Sequence, residues 1–416
     1  MAAVSQEIIE EVVQRTKIYM EGRQDISDTD IKDTASRFLD ELAGNVYISV
    51  NERLEIVNRA FNSMRRLGIL QPFLDDKSVT EVMINGPDHI FIMKAGHLYE
   101  TDEKFKDQEE LEDIIQRIAY RVNRTVDSAN PICDVRLEDG SHVNIVLAPI
   151  ALNGPIVTIH KLPENIISFD GLVNSGAISR EAADFLQQCV KVKYNIFVCG
   201  GTDVGKTTFL NALSNVIPSD ERIITVEDSA ELKIQGVRNL VRMETRNANA
   251  EGKGAITLSD LIKSSLRMRP ERIVVGEVRG TEALDMLQAL NTGHDGSLST
   301  CHASSPSDML SRLETMVLTG ADFPMDAIRQ QIASAIDIIV YLGRLSDKSR
   351  KTLNIVEVLG YDKGEYQINP LFEYEIEDKE PSGKLIGRLV RKNTMQNTHK
   401  FEMNGIPYNG DTKVTE

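Results

Sequence analysis

The sequence predicts an α/β protein: a main domain on a mainly parallel sheet, preceded by a smaller α+β domain and an N-terminal helical region. Three observations carry that prediction. Apolar residues recur at helical spacing near the start, at Ile8, Ile9, Val12 and Val13 and again at Phe38, Leu39 and Leu42. From Leu70 to about Leu162 the pattern becomes short apolar runs separated by turn signals, Asn85-Gly86-Pro87, Glu138-Asp139-Gly140 and Asn153-Gly154-Pro155. Beyond a helical connection near Ser179 to Val190, strands that end in polar clusters alternate with helices, the pattern of parallel strands joined by crossovers.

The elements divide the chain as follows. Residues 1–68 form the helical region, a small bundle suited to docking or spacing. Ser27 followed by Asp30 resembles a helix start, although the capping box prefers Glu or Gln at the second position. A third run, Leu54 to Leu67, stops at Gly68. Residues 69–165 form the α+β domain, with strand-like VTEVMING and HIFIMKAGH, helical LEDIIQRIAYRV, then HVNIVL and IVTIH. A linker with a helix covers 166–190, the α/β domain 191–362, and a polar tail 363–416, acidic in EYEIEDKE and basic in KLIGRLVRKN.

Composition narrows the function. The 416 residues include 47 basic and 63 acidic ones, a net charge of −16, with 41% hydrophobic and 26% charged residues. That is an ordinary globular composition. Counterion displacement from a phosphate backbone needs clustered Lys and Arg, so nucleic acid is disfavoured as a direct partner. The opening MAAVSQEIIEEVVQ carries acids where a signal peptide has a basic flank, and even the apolar run Ile332 to Leu342 is broken by Ser334 and Asp337. Cys133, Cys189, Cys199 and Cys301 are scattered without a CxxC pair, as reduced intracellular thiols are. The expectation is a soluble, cytoplasmic protein able to dock on a membrane complex.

The strand YNIFVCG runs into GGTDVGKTT, which holds G-x-x-x-x-G-K-T as Gly200, Gly205, Lys206 and Thr207, and the helix KTTFLNALSNVI follows. Strand, loop and helix in this order let backbone N–H groups and a helix N-terminus converge on a phosphate. The expected nucleotide-binding residues are Gly200, Gly201, Thr202, Asp203, Val204, Gly205, Lys206, Thr207 and Thr208. Lys206 would neutralise phosphate oxygens, and Thr207 would bind Mg²⁺. Hydrolysis also needs acids that hold the metal and orient water. RIITVEDSAEL places Glu227 and Asp228 at the end of one apolar strand, and RIVVGEVRG places Glu277 at the end of another. In a parallel sheet those ends share the edge that carries the loop. NTGHDGSLSTCHASS contains His294 and His302, and His302 ends a strand-like run beside the expected phosphates, as a γ-phosphate sensor would. Zinc on adjacent Cys301 and His302 is disfavoured, because no second spaced pair completes a tetrahedron.

As an ordered set these motifs resemble the secretion ATPases of type II and type IV systems. GGTDVGKTT is similar to their Walker A, ITVEDSAEL to their Asp box, SSLRMRPERIVVGEVRG to Walker B and TGHDGSLSTCHASS to the His box. Upstream, ILQPFLDDKSVTEVMINGPDHIFI, ICDVRLEDGSHVN and GPIVTIHK resemble the preceding domain of the CpaF-like branch, which powers Tad pili. The resemblance covers roughly residues 66–360. It implies a RecA-like core after a PAS-like domain, and a homo-hexameric motor that uses ATP and Mg²⁺ to drive assembly or retraction of a Tad or type IV-like pilus, or type II-like secretion, on platform partners of the inner membrane. The alternatives are a type IV secretion ATPase for protein or DNA export and a nucleotide-binding regulator with little hydrolysis, which Asp203 would favour. It also implies that Glu277 holds Mg²⁺ through water, that Glu227 orients the attacking water, and that Arg136 in CDVRLEDG serves ATP in a neighbouring subunit. The chain departs from the family at Asp203 and Val204, where small residues are usual, and at His142 and His160, where Arg is usual. A carboxylate at Asp203 is expected to repel phosphate unless it points away. Neither histidine replaces an always-charged guanidinium.

Overall fold

The computed structural model describes residues 6–23, 25–44, 47–94, 96–122, 124–162, 167–246, 248 and 253–408. The chain divides into two compact units, Met1–Glu164 and Asn165–Glu416.

The first unit opens with α1 (Gln6–Met20), α2 (Asp28–Ala43) and α3 (Val50–Arg65), which bury Val12, Ala35, Leu39, Ile56 and Ala60 together. Helix α2 starts on a complete capping box: the Asp30 N–H donates to Ser27 Oγ at 3.2 Å, and the Ser27 N–H to Asp30 Oδ2 at 2.9 Å. Asp thus fills the position usually taken by Glu or Gln. A short turn leads to α4 (Gln71–Asp75), then β1 (Val79–Asn85), β2 (Ile90–Lys94), β3 (His97–Glu100), α5 (Gln108–Arg121), β4 (Ile132–Arg136), β5 (His142–Val146) and β6 (Ile156–His160). The strands form one antiparallel sheet ordered β3-β2-β1-β6-β5-β4. Alternation sends Val82, Ile84, Val143, Ile145, Val157 and Ile159 to one face, where they share a core with Leu111, Ile114, Ile115 and Ile118 of α5. The helices do not stand apart from this domain as the division at residue 68 expects. Arg117 Nη1 donates to the carbonyls of Ser63 at 2.8 Å and Arg66 at 2.9 Å, and Arg121 Nη2 to that of Arg65 at 2.7 Å, tying α5 to the end of α3.

The second unit contains α6 (Phe169–Asn174), α7 (Arg180–Lys191), β7 (Ile196–Gly200), α8 (Lys206–Ser214), β8 (Arg222–Glu227), β9 (Asn239–Glu244), α9 (Leu258–Ser265) and β10 (Arg272–Val278). It continues with α10 (Glu282–Asn291), β11 (Leu298–His302), α11 (Pro306–Gly320), α12 (Met325–Ala335), β12 (Ile338–Arg344), β13 (Arg350–Asp362), β14 (Glu365–Lys379), β15 (Leu385–Arg391) and α13 (His399–Met403). Its sheet runs β15-β14-β13-β12-β7-β11-β10-β8-β9. Pairing is parallel from β12 to β9 and antiparallel from β12 to β15. Both faces are covered. Ile196 and Val198 pack with α6, α7, α8 and α13, while Phe197 and Cys199 pack with α9 to α12. A strand buried on both faces reads as a continuous apolar run, which is why YNIFVCG does not alternate.

Two expected regions are corrected here. The linker of 166–190 is part of the core, because Phe169, Leu172, Phe185 and Leu186 of α6 and α7 are buried against the sheet. Among the described residues, the polar tail after 362 is two strands and a helix. Leu371, Phe372, Leu389 and Phe401 join the same core, and Glu357, 1% exposed, accepts the N–H groups of Gln396 at 2.9 Å and Asn397 at 2.7 Å. Its charged residues alternate with apolar ones on half-exposed strands, which imitates a solvated charge run when read linearly.

One buried ion pair fastens the strand starts opposite the phosphate-binding edge. Arg272, fully buried, donates Nε to Glu221 Oε2 at 2.6 Å and Nη2 to Oε1 at 2.8 Å, while Nη1 reaches the Val190 carbonyl at 2.6 Å. Gly296 makes room: a Cβ there would lie 2.6 Å from Arg272 Nη1. Arg272→Ala leaves Glu221 without its bidentate partner, and among the described residues Lys193 Nζ, at 3.7 Å, is then its ion-pair partner. Urea unfolding should show a loss of about 3 kcal/mol; an unchanged midpoint and slope would mean that the pair contributes no net stability.

Candidate functional site

The loop expected to bind phosphate begins where β7 leaves the core. At Gly200 a Cβ would lie 2.5 Å from the Leu342 carbonyl oxygen and 2.7 Å from Val204 Cγ2, so only glycine passes. Gly205, at φ 93°, caps α8 in the left-handed region that glycine tolerates. The first N–H groups of α8, which lack intrahelical partners, therefore face the loop. Gly201, Thr202 and Asp203 are exposed, Val204 packs into the core, and Thr207 and Thr208 lie half-buried in the first turn of α8. The Asp203 carboxylate is turned to Arg344 and Arg350, so the repulsion expected from it is met by two guanidinium groups.

The sheet brings three of the expected residues into contact. His302 pairs with Gly200 in register, and β10 lies beside β11, so His302 and Glu277 emerge next to the loop. Lys206, 9% exposed, donates from Nζ to the Gly201 carbonyl at 2.7 Å and lies 3.3 Å from His302 Nδ1. His302 Nε2 lies 2.9 Å from Glu277 Oε1, and Glu277 Oε2 accepts from Arg279 Nη2 at 2.5 Å. An ammonium offers only hydrogens, so Nδ1 is the acceptor and the proton of the neutral ring sits on Nε2, the nitrogen beside Glu277. The geometry makes no hydrogen bond there, and Glu277 Oε1 is buried with no hydrogen-bond partner among the described residues. Burial lowers the proton affinity of His302 most; Glu277 pulls it up, while Lys206 and Arg279 push it down further. Burial likewise lowers that of Lys206.

Glu227 is placed differently. Strand β8 lies three strands from β7, about 14 Å at ordinary strand spacing, against two strands for Glu277. Its Oε2 accepts the N–H groups of Glu231 and Leu232 at 2.8 Å each, and burial raises its proton affinity. Its Oε1 is buried with no hydrogen-bond partner among the described residues. Gly276 lets it lean toward β10, because a Cβ there would come 3.1 Å from Glu227 Cγ. Asp228 is exposed past the strand end. His294 faces the Ala289 carbonyl at 3.1 Å rather than the loop. Arg136 belongs to the first unit, where it pairs with His142, His142 with His160, and His160 with Glu81. This row lies on the face away from α5, with His160 Nδ1 3.1 Å from Glu81 Oε1.

Sequence reading missed Arg279, Arg344 and Arg350. Arg279 carried a signal, two residues past Glu277 at a strand end. Arg344 and Arg350 carried none, since they reach the loop from more than 140 residues along the chain.

Comparison with known proteins identifies the family. The family described as type II/IV secretion system protein matches residues 64–402. A putative conjugal transfer protein of Mycobacterium tuberculosis is 36% identical over 307 residues, covering 72% of this chain and 86% of its own. The type IV secretion system protein VirB11 of Brucella suis is 31% identical over 313 residues, 69% of this chain and 87% of its own. The crystal structure of the ATPase DotB of Legionella pneumophila superposes with a TM-score of 0.51 at 20% identity, over 71% of this chain and 81% of that one, and shows the same RecA-like fold. With its phosphate-binding loop inside the matched span, the chain belongs to the type II/IV secretion system family and is an ATPase.

Proposed function

We propose that this ATPase is a homo-hexameric motor that hydrolyses ATP to drive transport through a type IV secretion apparatus, docked at the inner face of the cytoplasmic membrane. The contact of Lys206, His302 and Glu277 at one phosphate-binding loop is the observation that carries the hydrolytic part. The conjugal transfer and VirB11 relatives support the cargo. Among the described residues no helix is long and apolar enough to cross a membrane, in keeping with peripheral docking. Assembly of a Tad pilus is the second reading, supported by the CpaF-like motifs between residues 69 and 161. Co-purification with type IV or with Tad platform proteins separates the two.

In this mechanism Lys206 and the α8 amides hold the phosphates. The hydroxyl of Thr207 and, through water, the carboxylate of Glu277 are hard oxygen donors that would hold Mg²⁺, whose charge would offset that developing on the phosphate. To reach phosphate, Lys206 gives up the Gly201 carbonyl and His302. His302 thereby loses its cationic neighbour, which is how it senses the γ-phosphate. The unpartnered Oε1 of Glu227 orients the attacking water.

Lys206→Ala should abolish phosphate release, whereas Glu277→Gln should keep ATP affinity and slow release on the order of 100-fold. Wild-type turnover in Lys206→Ala would remove the loop from the mechanism. Arg136 acts in trans, as an arginine finger worth roughly 1,000-fold or more. Arg136→Ala and Lys206→Ala should each be inactive, yet mixing them should restore partial activity, because some junctions then pair an intact Arg136 with an intact loop. Full activity of Arg136→Ala alone, or mixed rings without recovery, would contradict the trans arrangement.

A further inference from the structure

The middle of the phosphate-binding loop is held from outside by the β12–β13 hairpin. Asp203 adopts φ 58°, the left-handed conformation that Asp and Asn tolerate better than most residues. Arg344 and Arg350 are directly opposed partners on β12 and β13. Like charges so placed destabilise a strand pair unless an anion lies between them, and the Asp203 carboxylate does. Its Oδ1 accepts from Arg350 Nη2, and its Oδ2 lies 3.4 Å from Arg344 Nη1. Arg350 Nε donates to the Asp203 carbonyl at 2.8 Å as well, so side chain and backbone are gripped together. The aliphatic stem of Arg350 runs beside Gly205, with Cδ 3.9 Å from where a Cβ would stand.

We propose that Arg350, supported by Arg344, is a positioning residue for nucleotide binding: by gripping Asp203 it fixes the loop between Gly200 and Lys206 in the shape that receives ATP. The inference rests on the reading of this loop as the ATP site. An exposed ion pair alone contributes little, and both side chains are more than two-fifths exposed. The added backbone bond changes the consequence. It holds one left-handed residue in the centre of the loop, so ATP meets an ordered cradle and does not have to order it on binding. Asp203 is therefore an anchor facing away from the phosphates, and the hairpin and the nucleotide site move as one piece.

Titration of the full-length protein with a fluorescent ATP analogue and Mg²⁺ tests this, using Arg350→Ala, Asp203→Asn and the double variant, with melting temperatures recorded without nucleotide. Asparagine keeps the size and the tolerance for positive φ. Each single variant should weaken binding about 5-fold, the double variant no further than either single one, and the melting temperature should hold. Unchanged affinity in both single variants would overturn the proposal. So would losses that multiply to about 25-fold in the double variant, since Arg350 would then act on the nucleotide directly. A melting temperature lowered by several degrees in both would mark the clasp as a general brace of the fold and overturn it too. If the wild type itself binds no analogue, the ATP-site reading fails and takes this inference with it.

Discussion

A neutral imidazole stands between an ammonium and a carboxylate, and the arrangement of the second unit serves to put it there. His302 accepts from Lys206 through one ring nitrogen and stands 2.9 Å from Glu277 Oε1 with the other, while Glu277 Oε2 accepts from Arg279. Reversal of the tautomer would set two hydrogens against each other at Lys206. The chain of contacts therefore has one direction, and any ligand that draws Lys206 away changes the surroundings of His302 and, through it, of Glu277. Under the proposed function, phosphate occupancy would in this way become a signal to Glu277, the residue proposed to hold the metal.

Such contact requires strand ends that share an edge. Parallel pairing of β7, β11 and β10 sets Gly200, His302 and Glu277 on successive strands at one end of the sheet, and helices on both faces keep those strands buried. The opposite end is pinned by Arg272 and Glu221, away from the loop between Gly200 and Lys206. The antiparallel extension through β13 to β15 adds a second support, because its first hairpin reaches back to the loop at Asp203. The rigid frame and the polar site are thus built from the same strands.

Much of this was legible in the sequence where chemistry depends on neighbours along the chain. The motif from Gly200 to Thr208 runs from a strand end into a helix as its spacing requires, and Glu277 lies one residue from the end of its strand while His302 closes its own, as their apolar runs imply. What linear reading lost lies in long-range pairing. The segment 363–408 looks like a charged tail because alternation on a half-exposed strand mixes Glu and Lys with Ile and Tyr, and only pairing with β13 shows its apolar half to be core. Asp203 looked like a liability because its partners, Arg344 and Arg350, are invisible from its own surroundings. The helices of 1–68 looked separate because the arginines that fasten them sit on α5.

A structure determined with a non-hydrolysable ATP analogue, with Mn²⁺ replacing Mg²⁺ for its anomalous signal, tests the central claim most directly. The account predicts Lys206 Nζ on β- and γ-phosphate oxygens and no longer on the Gly201 carbonyl or His302, with the metal beside Thr207 and on the Glu277 side of the γ-phosphate. An analogue bound elsewhere, or a Lys206 that keeps both its present partners while the loop is filled, would contradict it.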